Sequence, residues 1–334
     1  MKIMHWNYFN EFDKQSGAKR YEDELFNNMS LLDVSRIQKG KGNIFSEAGN
    51  FKIDNNDIVH ATFQPLAPLK LIKKPKHFVL TVHDIIPKFH YSNLQKLRHM
   101  WYLIEYAIPK ADKILVYSEF NKNELINRLR VKEHKIHVVP LGVGSEYKPM
   151  DKDECINFFN LNENTKHILV VSSNAPWKNM QLVNKIISLM NELKLFDYKI
   201  VKIGYGETLD TPGVINLGYI EEQHMSALYN ACDLFLQPSL NEGGLPALEA
   251  MACGCPVISA DAASLPEIIG DGGILLNASD NNCEYGFISS IRAVLENDYL
   301  KNELVNKGLK RASEFPWSRT AKETIEVYKK CLND

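Results

Sequence analysis

The stretch "QPSLNEGGLPALEAMACGCPVISADAASLPEIIGDGGILL", residues 237–276, lays out one complete structural unit in order. The apolar run "LFLQPS" reads as a strand ending at Ser239, and Asn241-Glu242-Gly243-Gly244 reads as a loop. A helix then begins near Leu245-Pro246, because a proline in the first helical turn costs no hydrogen bond. The run "CPVISAD" supplies the next strand. Strand, glycine loop, helix and strand in succession are the repeating unit of a parallel α/β sheet.

The same alternation extends in both directions. Upstream of residue 237 come a strand "KHILVVSS", a helix over about 180–194, strands "YKIVKIG" and "GVINLGYI", and a helix "EEQHMSALYNACD". Further upstream, "KIMHW" reads as a strand followed by a helix from about Ala18, and "DIVHAT", "HFVLTVHD", "KILVYS" and "KIHVVPL" read as strands. Ser118 is a good N-cap for the helix "EFNKNELINRLR". The segment 144–153, rich in Gly, Pro and charge, reads as the linker between two domains, 1–148 and 149–316. Amphipathic helices close the chain, the last over about 319–331. The expected fold class is α/β, with two doubly wound, Rossmann-like domains facing a central cleft.

Composition sets bounds on this reading. A chain of 334 residues suits two domains, and 45% apolar with 24% charged residues suits a packed globular protein. No run approaches the roughly 20 apolar residues that span a bilayer, and the N-terminus lacks a signal-peptide layout, so a cytoplasmic location is expected. Six cysteines without a framework spacing point to free thiols. Cys253 and Cys255 form a C-x-C with no further ligands nearby, which reads as small buried residues. The charge is uneven: residues 1–148 carry 23 basic against 16 acidic residues, and the remainder 16 against 25. A basic first half suits an anionic acceptor, a phospholipid surface or nucleic acid, but no concentrated basic stripe favours nucleic acid. The run "KLIKKPKHF", with Lys70, Lys73, Lys74 and Lys76, and the helix "LQKLRHMWYLIEYAI" suit peripheral contact with an anionic membrane at its inner face.

Ligands of doubly wound sheets sit beyond the C-terminal strand ends, so the loops after "LVVSS" and "FLQPS" are where chemistry is expected. Gly243 and Gly244 permit close approach to backbone, and the free N–H groups and positive dipole end near Leu245 favour a diphosphate. Glu242 and Glu249, seven positions apart, are expected on one helical face about 10 Å apart along the axis. A carboxylate accepts from two neighbouring hydroxyls, so Glu249 suits a ribose and Glu242 a sugar.

These residues resemble the E-x7-E region of the retaining glycosyltransferases of family four, which have the GT-B fold; "PS", "EGGLPALEA", "GCPVI" and "LPEIIGDGG" occur in the family's order. The resemblance implies sugar transfer from a nucleoside diphosphate sugar to an unidentified acceptor, with retained anomeric configuration. It implies a C-terminal helix, 317–334, crossing back to the first domain. "APWKN" resembles the loop whose lysine meets the donor diphosphate, which assigns that role to Lys178; Ser172 and Ser173 stand where the family usually has an arginine. "LTVHDIIP" resembles the strand end that places a histidine near the transferred sugar, which assigns His83, with Asp84 supporting the loop. His60 is a further histidine, read as structural. Ser16-Gly17 resembles the family's first glycine loop, with Gly17 facing donor phosphate or acceptor, and backbone near Gly218-Tyr219 corresponds to the base site. Glu242, His83 and Lys178 are thus the expected catalytic residues. No metal cofactor is expected, since the D-x-D at Asp151 and Asp153 falls in the segment read as the linker. The rival reading is a non-catalytic nucleotide- or glycan-binding protein on a GT-B scaffold.

Overall fold

A computed structural model describes residues 1–334 except 10–15, 31, 43–45, 54, 86–94, 174, 205, 207 and 334, and of residues 95–98 the backbone alone. It divides into two compact units, Met1–Gly142 with Trp317–Asp334, and Val143–Pro316.

The first unit contains β1 (Lys2–Asn7), α1 (Gly17–Asn27), β2 (Asp33–Gln38), β3 (Ile58–Ala61), α2 (Leu69–Lys73), β4 (Phe78–Thr81), α3 (Gln95–Ala107), β5 (Lys113–Val116), α4 (Glu119–Leu129) and β6 (Ile136–Val138). The strands form one parallel sheet in the order β2-β1-β3-β4-β5-β6. Strands covered on both faces read as continuous apolar runs, and every residue of β3, β4 and β5 is buried. Ser118 caps α4 as expected, its side chain accepting from the Asn121 N–H at 3.1 Å.

The second unit contains α5 (Lys152–Phe158), β7 (Lys166–Val171), α6 (Met180–Glu192), β8 (Tyr198–Ile203), β9 (Val214–Gly218), α7 (Glu222–Ala231), β10 (Leu234–Gln237), α8 (Leu245–Ala252), β11 (Val257–Ala260), α9 (Leu265–Ile269), β12 (Gly273–Leu276), α10 (Cys283–Glu296) and α11 (Asp298–Ser313). Its parallel sheet runs β12-β11-β10-β7-β8-β9. Counted from β7, that is the doubly wound order in which strand succession reverses between the first and fourth strands, here β7 and β10.

Residues 144–153, read from sequence as a linker, pack within the second unit. Tyr147 is buried and its hydroxyl donates to Glu222 Oε1 at 2.5 Å. Asn230 accepts from the Met150 N–H at 2.8 Å and donates to the Lys148 carbonyl at 2.9 Å. Asp151 is the N-cap of α5, accepting from the Glu154 N–H at 2.9 Å.

The last helix, α12 (Trp317–Asn333), returns to the first unit. Its buried face, Trp317, Thr320, Ala321, Thr324, Val327, Tyr328 and Cys331, follows helical spacing. The Tyr328 hydroxyl bridges two buried histidines, His60 Nδ1 at 2.6 Å and His5 Nε2 at 3.0 Å. His60 Nε2 continues to Thr81 Oγ1 at 2.8 Å, so His60 is a structural residue tying β3, β4 and α12 together.

Candidate functional site

In the second unit the chemistry gathers where the strand order reverses. β7 and β10 pair directly, Leu234 opposite Ile168, so the loops leaving their C-terminal ends lie side by side. A hydrogen bond joins them, from the Leu240 N–H to the Trp177 carbonyl at 2.7 Å. The β7 loop closes with a single tight helical turn at Pro176–Lys178, after which Asn179, with φ of 53°, starts α6. The β10 loop ends at Gly244, whose φ of 81° lies in the region open to glycine, and a Cβ there would meet Ile268 at 3.1 Å.

This arrangement brings Lys178 and Glu242 into an ion pair between Nζ and Oε1, with side chains 19% and 10% exposed. Gln237, the last residue of β10, donates from Nε2 to the other oxygen, Oε2. Burial lowers the Lys178 ammonium to a pKa of about 8. Below that pH the amine is the charged partner of the Glu242 carboxylate, and above it the pair loses its positive member. Glu242 lies in the loop, outside α8, so the expected shared helical face with Glu249 does not exist. Six residues, Gly243–Leu248, separate the two glutamates, one fewer than the family spacing. Glu249 sits inside α8, 5% exposed, and accepts from the Tyr229 hydroxyl at 2.9 Å. Leu245 begins α8 and Gly243 lies in the loop before it, so their amides are at the helix N-terminus.

Gly218 and Tyr219 are further off in the sheet. Gly218 ends β9, which β8 separates from β7; it has φ of 70°, and Tyr219 beside it is 42% exposed. Ser172, where an arginine is usual in the family, is buried and its hydroxyl donates to the Ser173 carbonyl at 3.0 Å. Cys253 and Cys255 are buried and free, and burial holds the Cys253 thiol up at about 12, so both pack as small side chains.

In the first unit the strand succession reverses between β1 and β3. Gly17 opens α1 there, exposed, behind the N-cap Ser16, which accepts from the Lys19 N–H at 3.2 Å. His83 follows β4, and all of its polar groups are engaged. Nε2 lies 2.9 Å from the Thr62 carbonyl, and since a carbonyl only accepts, Nε2 carries the proton. Burial lowers His83 to a pKa of about 4, so the ring is neutral and Nδ1 is bare; it accepts from the Tyr117 hydroxyl. The His83 N–H donates to Gln64 Oε1 at 3.0 Å and its carbonyl accepts from Asn121 Nδ2 at 2.9 Å. The family resemblance places this histidine near the transferred sugar, whereas here both ring nitrogens are bonded within the unit. Asp84 is held by Gln64, its carbonyl and Oδ1 accepting from Gln64 Nε2 at 3.1 and 3.3 Å, while residues 86–94 of the loop it is expected to support lie outside the described residues.

Sequence reasoning missed Gln237, Tyr229 and Glu22. Glu22, on α1, is 1% exposed, and burial pushes its carboxyl up to about 8 despite three donors: the Tyr8 N–H at 2.7 Å, the Phe9 N–H at 3.1 Å and Thr62 Oγ1 at 2.6 Å. Only Gln237 had a visible signal, as a polar residue ending the apolar run "LFLQ".

Residues 165–297 match the family model "Glycosyl transferases group 1", and residues 42–147 match "Glycosyltransferase Family 4". The chain is 28% identical over 270 residues to the O-antigen chain mannosyltransferase B of Escherichia coli, covering 75% of this chain and 70% of that protein. Among solved structures, a sucrose-phosphate synthase from Thermosynechococcus elongatus superposes with a TM-score of 0.81 at 15% identity, covering 99% of both chains. Anabaena HepE in complex with UDP and glucose superposes with a TM-score of 0.78 at 17% identity, covering 98% of this chain and 99% of that one. At such identities the two structures establish the GT-B fold and nothing finer.

Proposed function

We propose, for a chain that belongs to the glycosyltransferases of family four, that it moves a hexose from a nucleoside diphosphate sugar to a glycan, lipid-linked or small-molecule acceptor with retention of configuration. The observation that carries the reading is the Lys178–Glu242–Gln237 cluster at the β7/β10 reversal. Lys178 and the amides of Gly243, Gly244 and Leu245 would hold the diphosphate, an ammonium and a helix N-terminus being a pre-organised match for developing phosphate charge. Glu249 would accept from the ribose hydroxyls, and backbone at Gly218 and Tyr219 would meet the base. Glu242 would hold the sugar and stabilise positive charge at its anomeric carbon. The departing phosphate would take the acceptor's proton, so no separate general base is required. Gly17, at the α1 N-terminus, would face donor phosphate or acceptor. His83 would act indirectly, by tying the end of β4 to Thr62, Gln64, Tyr117 and Asn121.

The mannosyltransferase relative and the UDP and glucose complex of the structural neighbour make nucleoside diphosphate mannoses and UDP-glucose the first donors to try. Ser172 and Ser173 in place of an arginine support the rival, a nucleotide binder without turnover. The two readings part in one experiment: thermal shift against a panel of nucleotide sugars, then turnover of whatever stabilises the chain, since a true donor stabilises the native state by mass action. Stabilisation with turnover supports the transferase, and stabilisation without hydrolysis or transfer supports the binder.

No described helix is long and apolar enough to cross a membrane. Ile72, Tyr102 and Tyr106 are 51%, 48% and 61% exposed on α2 and α3, close in sequence to Lys73, Lys74 and Lys110, which supports a peripheral lipid contact. Equal pelleting with neutral and anionic vesicles would remove that part of the proposal.

A further inference from the structure

Gln237 ends β10 with its side chain buried, 3% exposed, and its two amide atoms are in opposite circumstances. Nε2 donates to Glu242 Oε2. A carboxylate that is already ion-paired to Lys178 only accepts, so the amide nitrogen has to face it and the amide oxygen has to face away. That oxygen, Oε1, is buried and finds no donor among the described residues. The main chain is fixed independently, the Gln237 carbonyl accepting from Ser259 Oγ on β11 at 3.1 Å. Buried polar atoms in folded proteins are overwhelmingly paired, so an acceptor that no described residue satisfies, at a site of proposed chemistry, is matched to a donor on a bound ligand.

Resting on the transferase reading above, we propose that Gln237 is the specificity-determining residue of the donor sugar: one arm of its amide positions Glu242, and the other accepts a hydrogen bond from a hydroxyl of the transferred hexose. Chemistry narrows the donor. A phosphate oxygen accepts and would leave the amide oxygen unpaired. A cation would be drawn to Glu242 in preference to a neutral carbonyl. A neutral hydroxyl pairs with the amide oxygen and can share the neighbouring carboxylate, which a hexose with adjacent hydroxyls does with two of its groups at once. Gln237 thereby reads which hydroxyls the sugar carries and in which orientation, while Lys178 reads only charge.

The test is a substrate-by-enzyme cycle. The donor found by the thermal-shift panel is compared with its monodeoxy analogues on the wild type and on Gln237→Leu, measuring kcat/KM, with calorimetry of the bare nucleoside diphosphate alongside. In the wild type one deoxy position is expected to cost about 10-fold or more, because the site's polar group is left unpaired. In Gln237→Leu the full donor is expected to lose about as much, while that same deoxy analogue suffers no further loss and the bare nucleotide binds as before. Equal deoxy penalties in wild type and variant would overturn the assignment and leave Gln237 as a prop for Glu242. If Gln237→Leu does not fold, Gln237→Met takes its place, and a wild type indifferent to every deoxy position overturns the proposal on its own. A wild type that neither binds nor turns over any nucleotide sugar overturns the transferase reading itself, a result the cycle distinguishes at its first step.

Discussion

Replacing Glu242 by glutamine separates binding from chemistry, and the ion pair sets what each half should do. Glu242→Gln keeps the size of the side chain and removes the charge that faces Lys178. Losing one partner of a buried pair typically costs about 3–5 kcal/mol of stability, because the remaining charge is uncompensated. The unliganded variant should therefore melt well below the wild type. A nucleoside diphosphate restores a counter-charge to Lys178 and competes with no carboxylate for it. If roughly 1.4 kcal/mol of that cost is recovered on binding, the bare nucleotide binds about 10-fold tighter. Turnover moves the other way. Loss of one pre-organised electrostatic contact to the transition state lowers kcat by about 10²–10³. Calorimetry with UDP and GDP and steady-state rates with the donor measure both. A kcat close to wild type would refute the role of Glu242 in catalysis. Lost nucleotide affinity would mean that the two glutamates' roles are exchanged.

Glu249→Ala should weaken nucleotide binding about 10- to 100-fold, the loss of hydrogen bonds to a charged acceptor. The Tyr229 hydroxyl also loses its acceptor, so the variant should melt lower; unchanged affinity in a folded variant removes Glu249 from the site. Exhaustive EDTA treatment should leave turnover largely intact, and activity that disappears and returns with magnesium or manganese would contradict a metal-free diphosphate site. Because burial holds Lys178 at about 8, its ammonium is full below that pH and lost above it, so nucleotide affinity should fall as pH rises through 8; Lys178→Arg should flatten the profile, and a flat wild-type profile would exclude the ammonium. His5 and His83, held at about 3 and about 4 by burial, take up protons in the unfolded chain near 6.5 before the folded chain can. Stability present above 6.5 should therefore be lost as pH falls toward 4, and a melting temperature independent of pH over that range would show that these rings are not buried neutral.

The fold was legible wherever strands are covered on both faces. "HFVLTVHD", "KILVYS", "KHILVVSS" and "LFLQPS" announce themselves as apolar runs, and each contains a strand of the structure. The edge strand β2 was missed because "DVSRIQ" is largely half-exposed or exposed and contains only two aliphatic residues, Val34 and Ile37. Residues 144–153 looked like a linker because Gly, Pro and charge are what linkers contain. What holds them includes a buried tyrosine, the side chain of Asn230 some eighty positions later, and an ion pair from Lys152 to Asp233, and composition carries no trace of these partners.

The site was legible to the level of residue types and no further. Lys178 and Glu242 could each be placed on a loop after a strand, but their pairing depends on β7 and β10 being neighbours, which is a property of strand order and not of local sequence. That pairing changes the expectation: a lysine read as waiting for phosphate is already paired with a carboxylate, so a bound phosphate would have to compete with Glu242 for it. His83 shows the same limit from the other side. A histidine at a strand end is equally suited to a ligand or to a network, and its partners decide. The Thr62 carbonyl compels a proton on Nε2, burial keeps the ring neutral, and Tyr117 donates to the bare Nδ1. With its backbone N–H and carbonyl also engaged, His83 ties the end of β4 to Gln64 and Asn121, and substituting it should lower the melting temperature before it disturbs any proton transfer.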